Sequence, residues 1–265
     1  MSPPTDTAAE LCVTDHPGVR LLVLHRPESR NGLTVELNLR LIAALEACGA
    51  DPSVRAVVLT GEGGSFSSGL DFRAAMQRGL IDPAGDLETA FHGLIRAVRR
   101  LDKPVIALVD GPAVGFGCDL ALACDLRLGT PRTRFGEVFI HRGLMPDGGG
   151  TFLLPRLVGL ARAMDLLLTG DLVDAESALR IGLVSRLLPL ESAAEEALAY
   201  AQRIAAGPPR VHALIKRSVY GALEGTLDDA LRTEKEGQLE LLRSRDFVEG
   251  VSAFLEKRPP RFTGE

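Results

Sequence analysis

KPVIALVDGPAVGFGCDLALACDLRL, Lys103 to Leu128, is the stretch whose reading decides the fold. Its apolar run, Val105 to Val109, reads as a buried strand that ends at Gly111. Small residues follow, and a short helix begins near Gly117. Free N–H groups at such a helix start favour negative charge. The upstream stretch VRAVVLTGEGGSFSSGLDF, Val54 to Phe72, repeats the pattern: a buried strand runs into a glycine-rich loop whose backbone can approach a ligand closely. Two such loops, each offering one N–H, supply what an oxyanion hole for an enolate or thioester oxygen requires. The plain alternative is that each is only a turn.

Working outward, LCVTDHPGVRLLVLHRP (residues 11–27) reads as a hairpin with His16-Pro17-Gly18 at its turn. Thr34 to Cys48 has the apolar spacing of a helix, and residues 72–90 read as loop with some helix. His92 to Leu101 is helical. This alternation predicts an α/β fold with covered sheets. After Pro189 the character changes. Ser192–Ala206, Val211–Leu223, Leu227–Leu242 and Phe247–Glu256 all read as helices, so the expected organisation is a core over 1–190 and a helical C-terminal subdomain over 191–265. Residues 1–9 are polar and expected to fray.

The 265 residues suit one large domain or a domain with an appended subdomain. A net charge of −5 argues against nucleic acid or an anionic membrane as partner. Cys12, Cys48, Cys118 and Cys124 form no C-x-x-C pair and read as reduced core residues of a cytoplasmic protein. The five histidines are scattered without ligand spacing, which predicts no metal site. The N-terminus has no signal-peptide pattern, and no apolar run approaches a membrane span. Gly61 and Gly63 begin a G-x-G-x-x-G pattern, but Phe66 takes the third glycine position, so the dinucleotide fingerprint fails. No Walker lysine is present, and no G-x-S-x-G elbow surrounds Ser65, Ser67 or Ser68.

The two glycine stretches, together with HRPESRNGLTVEL (residues 25–37), TGDLVDAESALRIGLVSRLLP (169–189) and EGVSAFLEKRPPRF (249–262), resemble the enoyl-CoA hydratase/isomerase (crotonase) superfamily over nearly the whole chain. The resemblance implies a spiral of ββα units and a C-terminal helical region that trimerises, as a homotrimer or a dimer of trimers. It implies an acyl-CoA substrate, with no separate cofactor. By matching positions, the oxyanion donors are the backbone N–H groups of Leu70 and Phe116. Phe116 departs from the family's usual glycine, and its ring must find space. Ser68, Leu70, Phe72 and Arg73 match the turn that wraps the adenine end of coenzyme A. Phe254 and Lys257 match C-terminal residues that reach the nucleotide; their alternative is plain solvated helix residues.

Hydratases of the superfamily hold a water with two glutamates. The first falls on Asp119 and the second on Phe139, which can neither accept nor donate a proton. Glu137, two residues upstream, points the same way if the segment is extended. Asp147, in PDGGG, matches the acid that Δ3,Δ2-enoyl-CoA and ring-epoxyphenylacetyl-CoA isomerases use to move protons. Its alternative is an N-cap for the helix expected over GGGTFLLPRLVG, as Asp119 is alternatively a residue favouring its own helix start. The pattern therefore predicts an isomerase with Asp147 as base and Asp119 as a second acid. A hydratase running on Asp119 and a catalytically silent acyl-CoA binder remain the alternatives.

Overall fold

The computed structural model describes residues 10–79 and 82–265. The polar segment 1–9 lies outside the described residues, as do two positions of the segment expected to be loop.

Strands β1 (Leu11–His16) and β2 (Val19–Leu24) form the expected hairpin, turning at Pro17-Gly18, where Gly18 takes a φ of 72°. Helix α1 (Val35–Ala50) starts where Thr34 accepts a hydrogen bond from Leu37 N–H (3.1 Å), and it buries Leu37, Leu41 and Leu45 along one face. Strands β3 (Ala56–Gly61) and β4 (Val105–Val109) are the two apolar runs. They lie side by side in a six-stranded sheet of order β1-β2-β3-β4-β6-β9, with β6 at Leu126–Gly129 and β9 at Arg186–Leu187. All pairings except the hairpin are parallel. A three-stranded sheet of β5 (Pro112–Val114), β7 (Arg134–Gly136) and β8 (Val173–Asp174) sits beside it.

Between β3 and β4 the chain makes α2 (Phe72–Arg78), α3 (Pro83–Asp86), a π-helical turn (Leu87–Phe91) and α4 (His92–Arg100). After β5 comes α5 (Phe116–Ala123), every residue of which is buried. Helices α6 (Gly150–Val158), α7 (Leu160–Thr169) and α8 (Ala175–Arg180) follow. One core lies between the large sheet and α1, α4 and α5. On the opposite face α9 (Ala193–Ala205) lays Ala193, Ala197, Ala201 and Ala205 against Val58, Ile106 and Leu128. Alanine at every fourth position gives that helix a flat face for close approach.

The remaining helices are α10 (Pro209–Ala222), α11 (Leu227–Leu241) and α12 (Arg245–Glu256). Helix α10 is tied to the core by Lys216, whose buried Nζ donates to Asp125 Oδ2 (2.8 Å), Val98 O (3.0 Å) and Lys103 O (3.2 Å). Tyr220 donates to the same Asp125. Helix α11 buries no residue and leaves Leu227, Leu231 and Leu239 exposed. The four cysteines are all buried, and no helix among the described residues is long and apolar enough to cross a membrane.

Candidate active site

The two glycine loops meet. Ser67 N–H donates to Pro112 O (3.0 Å) and Val114 N–H to Ser67 O (3.0 Å), stitching the loop after β3 to β5. Gly69 stands at φ 80°, and a Cβ there would lie 2.6 Å from Val114 O and 3.1 Å from Phe116 N. Only glycine permits that approach. The residue after it, Leu70, is thereby brought beside the first residue of α5, Phe116. Among the described residues neither the Leu70 nor the Phe116 N–H has a hydrogen-bond acceptor. For Phe116 this follows from its place at the helix start, where the first N–H groups have no partner within the helix.

Both residues line a cleft of about 550 Å³ with Phe72, Phe91, Phe139 and Asp147. The Phe116 ring, which needed space, packs edge-on against Phe91 with centroids 4.8 Å apart and planes at 80°. It contributes to the apolar wall of the cleft.

Asp147 faces this cleft, and its Oδ1 is buried with no hydrogen-bond partner. It does not cap α6: the N-cap is Gly149, at φ 92°, and no side chain caps that helix. Burial raises the Asp147 carboxyl above its ordinary value, and His92 pulls it partly back. Asp119 is fully buried and does not line the cleft. Its Oδ2 accepts from Gly148 N–H (2.9 Å), so this acid of α5 holds the chain immediately after Asp147.

Glu137 is 2% exposed. Strand β7 stops at Gly136, and Glu137 turns inward instead of continuing the strand toward the cleft. A Cβ on Gly150 would collide with Asp119 Oδ1 and stand 3.1 Å from both oxygens of Glu137. The two carboxyls therefore flank the first turn of α6 from behind. Burial pushes Glu137 up to about 7, with the Asp147 charge adding to the rise. Asp119 is likewise raised well above its ordinary value, by burial first and by the Glu137 charge second. Phe139, at the position of the second hydratase acid, is buried on the cleft wall.

Of the residues matched to coenzyme A, Ser68, Leu70 and Phe72 line the cleft. The Ser68 hydroxyl donates to Ser29 O (2.9 Å). Arg73 is exposed in the first turn of α2 and lies off the cleft wall. Phe254, 82% exposed, and Lys257, at the left-handed end of α12, are also away from it. Phe91 and Arg142 are among the cleft residues that sequence reasoning passed over. Phe91 ends a π turn with no readable period, and Arg142 belongs to no motif.

Residues 14–265 match the family model for enoyl-CoA hydratase/isomerase. The chain is 40% identical over 251 residues to a protein named probable enoyl-CoA hydratase from Rhodobacter capsulatus, covering 93% of this chain and 95% of that one. It is 38% identical over 255 residues to the 1,2-epoxyphenylacetyl-CoA isomerase of Escherichia coli, covering 94% and 96%. The crystal structure of an enoyl-CoA hydratase from Bacillus anthracis superposes with a TM-score of 0.93 at 30% identity, over 97% of this chain and all of that one. The fold is that of the crotonase superfamily. The chain belongs to the enoyl-CoA hydratase/isomerase family.

Proposed function

We propose that the protein is an enoyl-CoA isomerase in which Asp147 carries the proton. The observation that carries this reading is the division of the acids. Asp147 alone of the three clustered carboxyls lines the cleft that Leu70 and Phe116, with their unpartnered N–H groups, also line, while Phe139 stands at the position matched to the second water-holding acid. On a 3-enoyl thioester, Asp147 takes a proton from C2. The C2–H electron pair delocalises into a dienolate whose oxygen the two N–H groups hold. The carboxylic acid then returns the proton to C4, and the double bond moves from C3–C4 to C2–C3. One base suffices, and no net proton is gained or lost.

The hydratase reading is favoured by the names of several relatives. It needs acids that reach a water in the cleft, and Asp119 and Glu137 lie behind Gly148 and Gly150. The coenzyme A portion runs past Ser68, Leu70, Phe72 and Arg73 in this reading, with Phe254 and Lys257 contributing. A homotrimer, or a dimer of trimers, accounts for the exposed leucines of α11 and for exposed Phe247, Val251 and Phe254 on α12. Light scattering at micromolar concentration tests the assembly; a stable monomer refutes it. Incubation with 3-enoyl-CoA and with 2-enoyl-CoA tests the chemistry. Conversion of the first to the conjugated ester is expected, and hydration of the second without isomerisation of the first overturns the assignment.

A further inference from the structure

The stretch PESRNGL (27–33) lies outside the cleft wall. Its backbone is nevertheless unusual. Arg30 and Asn31 stand in the left-handed region at φ 55° and 57°, which Asn accepts more readily than most side chains. Asn31 is fully buried, and its amide is satisfied on both sides. Nδ2 donates to Glu62 O (2.9 Å) and Ser65 O (2.7 Å), and Oδ1 accepts from Arg26 N–H (2.9 Å). Glu62 and Ser65 bracket the left-handed Gly63 and Gly64, so this one side chain fixes the shape of the loop after β3.

The main chain of the same segment reaches the peptide that carries the Leu70 N–H. Leu33 N–H donates to Gly69 O (2.7 Å), and Leu33 O accepts from Asp71 N–H (2.9 Å), a parallel bridge opposite Leu70. The C=O and N–H of a trans peptide point in opposite directions. Leu33 therefore turns the Leu70 N–H away from itself, to the side where it meets no acceptor of this chain. Gly69, at φ 80°, has the freedom to let that peptide plane rotate. Ser67 opposes the rotation: its Oγ accepts from Gly69 N–H (3.1 Å) and its hydroxyl donates to Asn31 O (2.8 Å). With its one hydrogen spent on Asn31, Ser67 Oγ can only accept from Gly69. Ser67 also abuts the start of α5, since a Cβ on Gly117 would lie 2.6 Å from Ser67 O. It thus touches both loops that carry the candidate donors.

We infer that Ser67 and Asn31, buried and off the cleft wall, are positioning residues for the oxyanion hole. The chain Asn31 O, Ser67 Oγ, Gly69 N–H fixes the Gly69–Leu70 peptide and holds the Leu70 N–H ready for the thioester oxygen. The inference rests on the acyl-thioester reading of the cleft and deepens it. No bond forms or breaks at either side chain.

Ser67→Ala deletes the link without adding bulk. Asn31→Gly keeps the left-handed backbone and removes the side chain, so it serves as a second variant should Ser67→Ala fail to fold. Ser65→Ala is the control. It deletes a hydroxyl in the same loop, also buried, that donates to Arg30 O (3.3 Å) and Pro112 O (3.2 Å) but not to the Gly69 peptide. Infrared difference spectra of bound hexanoyl-CoA, isotopically labelled at the thioester carbon, read the polarisation of the carbonyl; turnover of 3-enoyl-CoA reads its consequence. Binding to the wild type should lower the carbonyl stretching frequency. Ser67→Ala and Asn31→Gly should each lose part of that lowering. Their kcat should fall about 10- to 100-fold with KM little changed, a fraction of the about 10²- to 10³-fold worth of a whole donor. Ser65→Ala should keep both. A folded Ser67→Ala or Asn31→Gly protein with the wild-type carbonyl frequency overturns the inference, whatever its stability. So does an equal loss of polarisation in Ser65→Ala, which would make general loop packing the cause. Failure of both test variants to fold overturns it as well, by showing a structural role. A wild type that leaves the bound carbonyl unshifted sinks the oxyanion reading of the cleft, and this inference with it.

Discussion

Glu137 gives the sharpest quantitative test, because its carboxyl is buried beside Asp119 with no cation to compensate either. Its folded value stands at about 7 against 4.5 for an ordinary glutamate. A carboxyl whose folded value is raised binds its proton more tightly in the native state. Its contribution to stability is thus complete below the unfolded value of 4.5 and is lost as pH rises to about 7. At about 1.4 kcal/mol per pH unit, the loss amounts to about 3 kcal/mol.

Glu137→Gln keeps the shape and removes the titration. Urea unfolding of both proteins, at one protein concentration because assembly contributes to stability, should therefore diverge with pH. Near pH 5 the two should be similarly stable. By pH 8 the variant should be ahead by about 2–3 kcal/mol, most of the raised carboxyl's cost. Asp119 is raised in the same direction and partly by Glu137 itself, so its titration adds to the divergence. Stability curves that run parallel from pH 5 to pH 8 would refute the reasoning, because the Glu137 carboxyl would then be hydrated or compensated.

Asp147→Asn removes the base but no cap, since Gly149 begins α6. Stability at neutral pH should not fall, because the change removes a partly desolvated charge that also raises Glu137 and Asp119. Turnover of 3-enoyl-CoA, followed by absorbance of the conjugated product, should fall about 10²- to 10⁴-fold; unchanged turnover eliminates Asp147 as the base. Gly69→Ala puts a Cβ against Val114 O and Phe116 N at a φ of 80°. It should destabilise by about 1–3 kcal/mol through a left-handed backbone and a close contact. Turnover should drop about 10²- to 10³-fold as the oxyanion donors separate. A well-folded Gly69→Ala protein with full activity would contradict the placement of the oxyanion hole.

What the sequence disclosed depended on how far each element's cause lay from it along the chain. The strand runs AVVLTG and VIALV are buried on both faces and declare themselves by apolar residues alone. The long helices carry their period internally, so Thr34–Cys48 and Ser192–Ala206 match Val35–Ala50 and Ala193–Ala205 to within two residues. Segment 72–90 was opaque because α2 and α3 are only seven and four residues long. Their starts are fixed by the caps Asp71 and Asp82, and helices that short need the rest of the fold to hold them. The second sheet is made of strands of two or three residues, too short to show alternation. At the site, the glycine loops were legible because positive φ demands glycine. The orientation of the acids was not. Asp119 answers to Gly148, 29 residues away, and Glu137 turns inward where β7 ends.

That orientation also decides which acid can work. Asp119, Glu137 and Asp147 crowd the start of one helix with no arginine or lysine bonded to them among the described residues, so burial opposes their ionising together. The backbone N–H of Gly148 offsets part of the Asp119 charge, but burial outweighs it. Burial is the first cause of the rise in all three. The Asp147 charge helps to raise both Glu137 and Asp119, whereas neither of them is among the causes that raise Asp147. Asp147, the only one of the three open to the cleft, is raised by its own burial and not by the other two. An acid facing the cleft with its two neighbours behind the wall is a base whose neighbours do not reach the substrate's proton. Two acids behind the wall and a phenylalanine in front leave no pair to hold a water, and that arrangement favours moving a proton over adding one.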